Sequence, residues 1–132
     1  MLNNKKIVIT GIANKFSIAY GIAKSMSRNG AELAFLYQNE RLLKKIKPLA
    51  EDLGVETLVK CDVSSDASIA KAFQAIKSKW GNIDGLVHSI GFAPTDQLEG
   101  DFTEVTTREG FQIAHDISSY SFTALAKAAL PI

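Results

Sequence analysis

The apolar positions of this chain fall into short dense runs that alternate with longer, periodic stretches. Residues 7–10 are a β-branched run, Ile7-Val8-Ile9-Thr10, closed by the turn signal Gly11, and they predict a strand. Over 17–28 the residues Ile18, Ala19, Ile22, Ala23 and Met26 recur at helical spacing until Asn29-Gly30 stops them. A nearly continuous apolar run over 31–37 predicts a buried second strand, with Glu32 near its start. Residues 41–53 place Leu42, Ile46, Leu49, Ala50 and Leu53 on one face, a second helix that Pro48 should kink or delay. Alternation of Val55, Thr57, Val59 and Cys61 gives a third strand over 55–61. Ser65 or Asp66 can cap a third helix whose stripe is Ile69, Ala72, Phe73, Ile76 and Trp80, with Gly81 as its stop. Residues 83–90 read as a fourth strand, 91–106 as a long polar loop, and 107–130 as one long helix.

The predicted order is βαβαβαβα. Parallel strands joined by crossover helices are the common architecture for that alternation. The expected fold class is therefore α/β, a doubly wound parallel sheet with strand order 3-2-1-4. Ligands of such sheets bind outside the carboxyl ends of the strands, at the switch point between strands 1 and 4.

Composition narrows the picture. The 132 residues suffice for one domain, and 46% hydrophobic with 22% charged residues is a globular balance. With 15 basic and 14 acidic side chains the net charge is +1, which leaves no electrostatic footprint for nucleic acid or an anionic membrane. Cys61 is the only cysteine, so no internal disulfide forms and a reducing compartment fits. The apolar run after the amino terminus is too short for a signal peptide or a membrane span, and the cytoplasm is the expected location.

The candidate chemistry sits at the strand ends. Gly11 allows a tight turn after strand 1, and the loop to Gly21 delivers backbone amides at the start of a helix, where the dipole favours a pyrophosphate. The strict G-x-G-x-x-G pattern is absent, so a plain strand–helix turn fits this loop equally well. His88-Ser89-Ile90-Gly91-Phe92-Ala93 would face it from strand 4, with Gly91 open to close backbone approach. Gln38 follows strand 2, where dinucleotide folds place an acid on the adenosine ribose; here the group is a neutral amide. Asp62-Val63 follows strand 3, where a carboxylate could accept from an adenine amino group or simply form a turn. His88 and His115 have no further ligands at metal-binding spacing, so no metal site is expected. The basic face Arg41, Lys44, Lys45 and Lys47 is read as solvated, with an acidic carrier protein as the lesser alternative.

These strings together resemble a family. The pattern G-x5-S-I-A-x-G over 11–21, Tyr37-Gln38-Asn39, Cys61-Asp62-Val63, Ser89-Ile90-Gly91-Phe92-Ala93-Pro94, Thr107-Arg108-Glu109-Gly110-Phe111 and Ala114-His115-Asp116-Ile117-Ser118-Ser119-Tyr120-Ser121-Phe122 look like bacterial enoyl-acyl-carrier-protein reductases. These are divergent members of the short-chain dehydrogenase/reductase superfamily. The resemblance covers essentially the whole chain. It implies a Rossmann-type fold, incomplete here, with residues 1–132 as the dinucleotide-binding part of a single reductase domain. It implies NADH as cofactor and acyl carrier protein as partner, in a homotetramer when complete. The reaction implied is reduction of the trans-2 double bond of an enoyl chain: hydride to the β-carbon, then protonation of the enolate.

By family position the cofactor-binding residues would be Gly11, Ser17 and Ile18 at the phosphates, Gln38 near the adenosine, Asp62 and Val63 at the adenine, and Ser89, Ile90 and Gly91, of which the last two line the nicotinamide side. Ala93 would lie beside the substrate. The family's active-site tyrosines and lysine, spaced Y-x6-K, follow the next strand. Tyr120 and Lys127 stand at that separation, but the string around Tyr120 resembles the preceding helix. No catalytic residue is therefore expected among these 132 residues, and the chain alone is expected to be inactive. A ketoreductase of the same superfamily and a non-catalytic nucleotide-binding module are the alternatives. Ser89-Ile90-Gly91, in place of the superfamily's ordinary Asn-Asn-Ala-Gly, argues against the first.

Overall fold

A computed structural model describes residues 1–132. Four strands form one parallel sheet, β1 (Lys6–Thr10), β2 (Glu32–Tyr37), β3 (Thr57–Lys60) and β4 (Gly85–Val87), in the order β3-β2-β1-β4. Helices α1 (Ile18–Arg28), α2 (Glu40–Asp52) and α3 (Asp66–Trp80) make the crossovers. The expected doubly wound topology and strand order are thus found.

The pleat sorts side chains to the two faces. Ile7, Ile9, Leu33 and Phe35 pack with Ala19, Ala23, Ile46 and Ala50, so α1 and α2 cover one face. Val8, Ala34 and Leu36 pack with Ile69, Phe73, Ile76 and the later Leu125 on the other. Covering on both faces explains why β1 and β2 read as unbroken apolar runs. Side-chain pairs lock the lower edge: Trp80 Nε1 donates to Glu32 Oε1 at 2.8 Å, and Asp84 Oδ2 accepts from the Lys6 amide at 2.8 Å. Lys5 Nζ lies 3.1 Å from Asp84 Oδ1.

Boundaries differ from expectation in instructive places. Helix α2 does not start late: Asn39 Oδ1 accepts from the Leu42 amide at 3.0 Å, and the helix runs through Pro48. Pro48 is exposed, so the carbonyl its ring leaves without a donor is open to water. Ser65, rather than Asp66, caps α3. Strand β4 is three residues, not eight; its backbone pairing with β1 ends at Val87 because the chain leaves β1 at Gly11.

The stretch 91–106 is not a plain loop. It holds a 3₁₀ turn at Thr95–Gln97 and a short helix, α4 (Phe102–Val105), whose first turn is capped by Asp101. The expected long helix over 107–130 is three pieces: α5 (Arg108–His115), a π-helical turn (Asp116–Tyr120) and α6 (Ser121–Ala129). No helix is long and apolar enough to cross a membrane.

Candidate functional site

The carboxyl ends of all four strands open onto one crevice, at the switch point between β1 and β4. Its walls come from Thr10 to Ala13 after β1, from Leu36, Tyr37 and Gln38 at the end of β2, from Cys61, Asp62 and Val63 after β3, and from Ser89 to Phe92 after β4. Leu42 of α2 and Ile117 of the π-turn complete it.

The first wall is fixed by a steric fit. Gly11 has φ of +90°, and a β-carbon there would overlap the carbonyl oxygen of Ser89. Only glycine meets both demands. Thr10, fully buried, ties the same two segments: its Oγ1 donates to the Val87 carbonyl at 2.9 Å and accepts from the Ser89 amide at 3.4 Å. Ser17 precedes α1 but does not cap it. Its Oγ turns back into the loop and accepts from the amides of Ala13 and Asn14 at 3.0 and 3.1 Å. The amides of Ile18 and Ala19, at the positive end of the α1 dipole, make no hydrogen bond within the chain.

On the far side lies Asp62. Its Oδ1 accepts from the Ser64 amide at 3.0 Å and from Ser64 Oγ at 2.6 Å, which makes the turn, while Oδ2 has no partner in the chain. Cys61 is buried beside it, and burial, with the Asp62 carboxylate adding to it, pushes the thiol up to about 11. Burial and then the neighbouring Glu40 raise the Tyr37 phenol above its ordinary value. Gln38 is exposed at the rim, and its neighbour Asn39 is taken up by the α2 cap.

Of the residues singled out from the sequence, Gly11, Gln38, Asp62, Val63, Ser89, Ile90 and Gly91 meet in this crevice. A β-carbon on Gly91 would touch nothing within 4 Å, so this backbone borders open space. Ser17 and Ile18 do not line the cavity; they stand at the α1 end beside it, with Ile18 exposed. Ala93 lies just past the wall, half-buried. Ile117 was missed, because its place in the crevice depends on the π-turn. Tyr120 and Lys127 do not line the crevice either.

The histidines are separate. His88 Nε2 lies 2.7 Å from Ser121 Oγ and its ring meets Phe122 edge-on at 5.5 Å. Burial lowers its pKa, against a smaller opposing effect of its own backbone. His115 stacks on Phe111 at 6.4 Å.

The family model described as enoyl-(acyl carrier protein) reductase matches residues 11–132. The enoyl-acyl-carrier-protein reductase (NADH) FabI of Escherichia coli (strain K12) is 57% identical over 127 residues, 96% of this chain and 48% of that protein. That of Haemophilus influenzae is 49% identical over 130 residues, 98% of this chain and 50% of its own length. Among solved structures, the enoyl-acyl-carrier-protein reductase (NADH) of Aquifex aeolicus VF5 superposes with a TM-score of 0.94 at 47% identity, covering 98% of this chain and 51% of that one. The Anaplasma phagocytophilum reductase, solved in complex with NAD, gives 0.94 at 41% identity, with 98% and 49% coverage. The chain thus spans about half the length of the curated relatives it matches. A match that begins at the crevice glycine and runs through the π-turn to the last residue places this chain in the enoyl-(acyl carrier protein) reductase family.

Proposed function

We propose that this chain is the NADH-binding part of an enoyl-acyl-carrier-protein reductase, acting in the cytoplasm on the trans-2 double bond of an acyl chain carried by acyl carrier protein, within a homotetramer. The observation that carries the reading is the crevice at the β1/β4 switch point, bounded by Gly11, Asp62 and Gly91. Its chemistry suits a dinucleotide. The unpartnered amides of Ile18 and Ala19 offer two donors to a pyrophosphate. The free Oδ2 of Asp62 is an acceptor for an adenine amino group. Open space above Gly91 admits a flat ring against backbone. The relatives named for NADH, and the neighbour solved with NAD, support the same cofactor.

When bound, the nicotinamide supplies the hydride that goes to the β-carbon of the enoyl thioester. The chain's own residues bind and orient it. The Gly11 loop and the α1 end hold the phosphates, Gln38 lies near the adenosine, Asp62 and Val63 hold the adenine, Ser89 belongs to the cofactor wall, and Ile90 and Gly91 line the nicotinamide side with Ala93 beside the substrate. A lone buried cysteine suits a reducing cytoplasm. Titration with NADH, followed by nicotinamide fluorescence, tests the reading. Saturable one-to-one binding that Asp62→Ala weakens is expected. Absence of saturable binding overturns it.

A further inference from the structure

The wall that carries Ser89, Ile90 and Gly91 has an unusual anchorage. From His88 to Ala93 no backbone amide or carbonyl has a backbone hydrogen-bond partner. The segment is attached to the rest of the molecule through hydroxyl groups instead. One is Thr10, at the Ser89 amide. The others come from the helix that crosses above it. Ser118, inside the π-turn, accepts from the Phe92 amide at 2.9 Å and donates to the Phe92 carbonyl at 3.0 Å. Ser121, buried at the start of α6, meets the His88 ring at 2.7 Å.

The protons in this arrangement are determined. Ser121 has one hydroxyl hydrogen, and it goes to the Ile117 carbonyl at 2.6 Å. The Ser121 oxygen is therefore an acceptor, and His88 donates to it from Nε2. Ser118 likewise accepts once and donates once, to the two backbone groups of a single residue. The two serines, three residues apart, thus grip the two ends of the segment His88–Phe92 and leave Ser89, Ile90 and Gly91 between them. The same π-turn puts Ile117 into the crevice opposite that segment. π-Turns inside helices recur at functional sites, because the extra residue re-aims side chains that a regular helix would point elsewhere.

We propose that Ser118 and Ser121 are positioning residues: a two-point clamp, built on the π-turn, that holds the Ser89-Ile90-Gly91 wall at the distance a bound dinucleotide requires. The part concerning the cofactor rests on the NADH site proposed above; the part concerning the wall does not. Neither serine lines the crevice. Their effect passes through the Phe92 backbone, which Ser118 holds, and through the His88 ring, which Ser121 meets.

Two measurements on the full chain test this: amide hydrogen exchange at Phe92, and the dissociation constant for NADH. Ser118→Ala removes both bonds to Phe92. Exchange at Phe92 should speed up at least roughly tenfold, and NADH should bind ~3–10-fold more weakly, as expected for losing one or two neutral hydrogen bonds. Exchange in β1 and β2 should not change. Ser118→Thr keeps the hydroxyl and should restore both values. If Ser118→Ala does not fold, Ser118→Cys, close in shape and a weak hydrogen-bonding partner, carries the same expectation. Unchanged exchange at Phe92, equal damage from the alanine and threonine variants, or faster exchange throughout the sheet would each overturn the clamp. If the unmodified chain binds no NADH, the cofactor reading fails, and exchange at Phe92 still decides whether the serines hold the wall.

Discussion

Gly11 lies directly beneath the carbonyl of Ser89: a β-carbon on the first would overlap the oxygen of the second. The contact joins the two loops that bound the crevice, and it falls where backbone pairing between β1 and β4 has just ended. Gly11→Ala must therefore both strain a φ of +90° and push the Ser89 wall outward. A cost of about 2 kcal/mol or more is expected, read as a lower urea midpoint. Gly91→Ala is the contrast. It meets no atom within 4 Å and needs no left-handed backbone, so stability should stay within about 0.5 kcal/mol of the parent. NADH binding should nonetheless weaken, because the added methyl enters the crevice. Equal stabilities for the two variants would show that the Gly11–Ser89 contact is slack.

Cys61 should be inert while the chain is folded. The nucleophile is the thiolate, and a thiol pushed up to about 11 is almost wholly protonated at pH 8. Iodoacetamide should label it only after denaturation. Linkage gives the sign of the pH effect. The folded value lies above the ordinary 9.0, so the fold favours the neutral thiol. That contribution is complete below pH 9 and is lost as pH rises towards 11. Urea midpoints between pH 8 and 11 should fall more steeply for the parent than for Cys61→Ala. Parallel curves would show that Cys61 takes no part in the alkaline loss.

Much of this was legible in the sequence, and the limits have physical causes. Strands β1 and β2 are buried on both faces, so their apolar runs announced them. Gly11, Asp62 and Gly91 were found because they sit at strand ends, where topology alone brings them together. The π-turn was invisible: Thr107 to Leu130 keeps helical spacing throughout, and one extra residue in a turn leaves no compositional mark. In the sequence Ile117, Ser118 and Ser121 therefore fall within one long helix. The shortness of β4 was also hidden, since its pairing is limited by where β1 departs rather than by its own residues. The caps at Asp101 and Thr107 gave structure to a stretch whose polarity had suggested a loop.

Asp62→Ala should separate the two roles of this carboxylate. Its Oδ1 shapes the turn through Ser64, and the Ser65 cap on α3 supports the same segment independently. The fold should therefore survive. Loss of a hydrogen bond to a neutral partner is worth roughly 0.5–1.5 kcal/mol, so NADH should bind up to about tenfold more weakly. If calorimetry gives the same affinity for both proteins, Asp62 is a turn residue only.

NADH should be preferred to NADPH. The residue at the end of β2 is Gln38, exposed at the rim of the crevice, and a neutral amide does nothing to balance a 2′-phosphate. Asn39 adds no charge either: its Oδ1 accepts from the Leu42 amide, and its Nδ2 is a neutral donor. Arg41, the second residue of α2, is exposed, so any charge it offers is screened. Competitive titration of the two cofactors should give the lower dissociation constant for NADH, with the gap narrowing as salt is reduced. Tighter binding of NADPH at physiological ionic strength would assign Arg41 to the site.

The 132-residue chain, prepared alone, should neither reduce an enoyl thioester nor remain monomeric. The two expectations have different grounds. Enolate stabilisation needs a hydrogen-bond donor at the reacting oxygen, and removing such a group costs orders of magnitude in rate. The crevice has no tyrosine or lysine poised for it: Tyr37 sits at the end of β2, away from the Ser89–Gly91 wall that follows β4, and Tyr120 and Lys127 lie outside. Association follows from the surface. Strand β4 pairs with β1 along one edge and has no strand on the other, and an open edge of Gly85-Leu86-Val87 is a template for another chain. The helices α5 and α6 expose Phe111 and Phe122 at 55% and 58% of their surface, and Leu130, just past α6, is exposed at 84%. Apolar area of that kind is normally covered. Light scattering should report a mass above that of one chain, and concentration should shift it. A thioester assay should read background. A monomer that turned over substrate would bring Tyr120 and Lys127 back as catalytic candidates, and their double replacement by Phe and Met would then decide the matter.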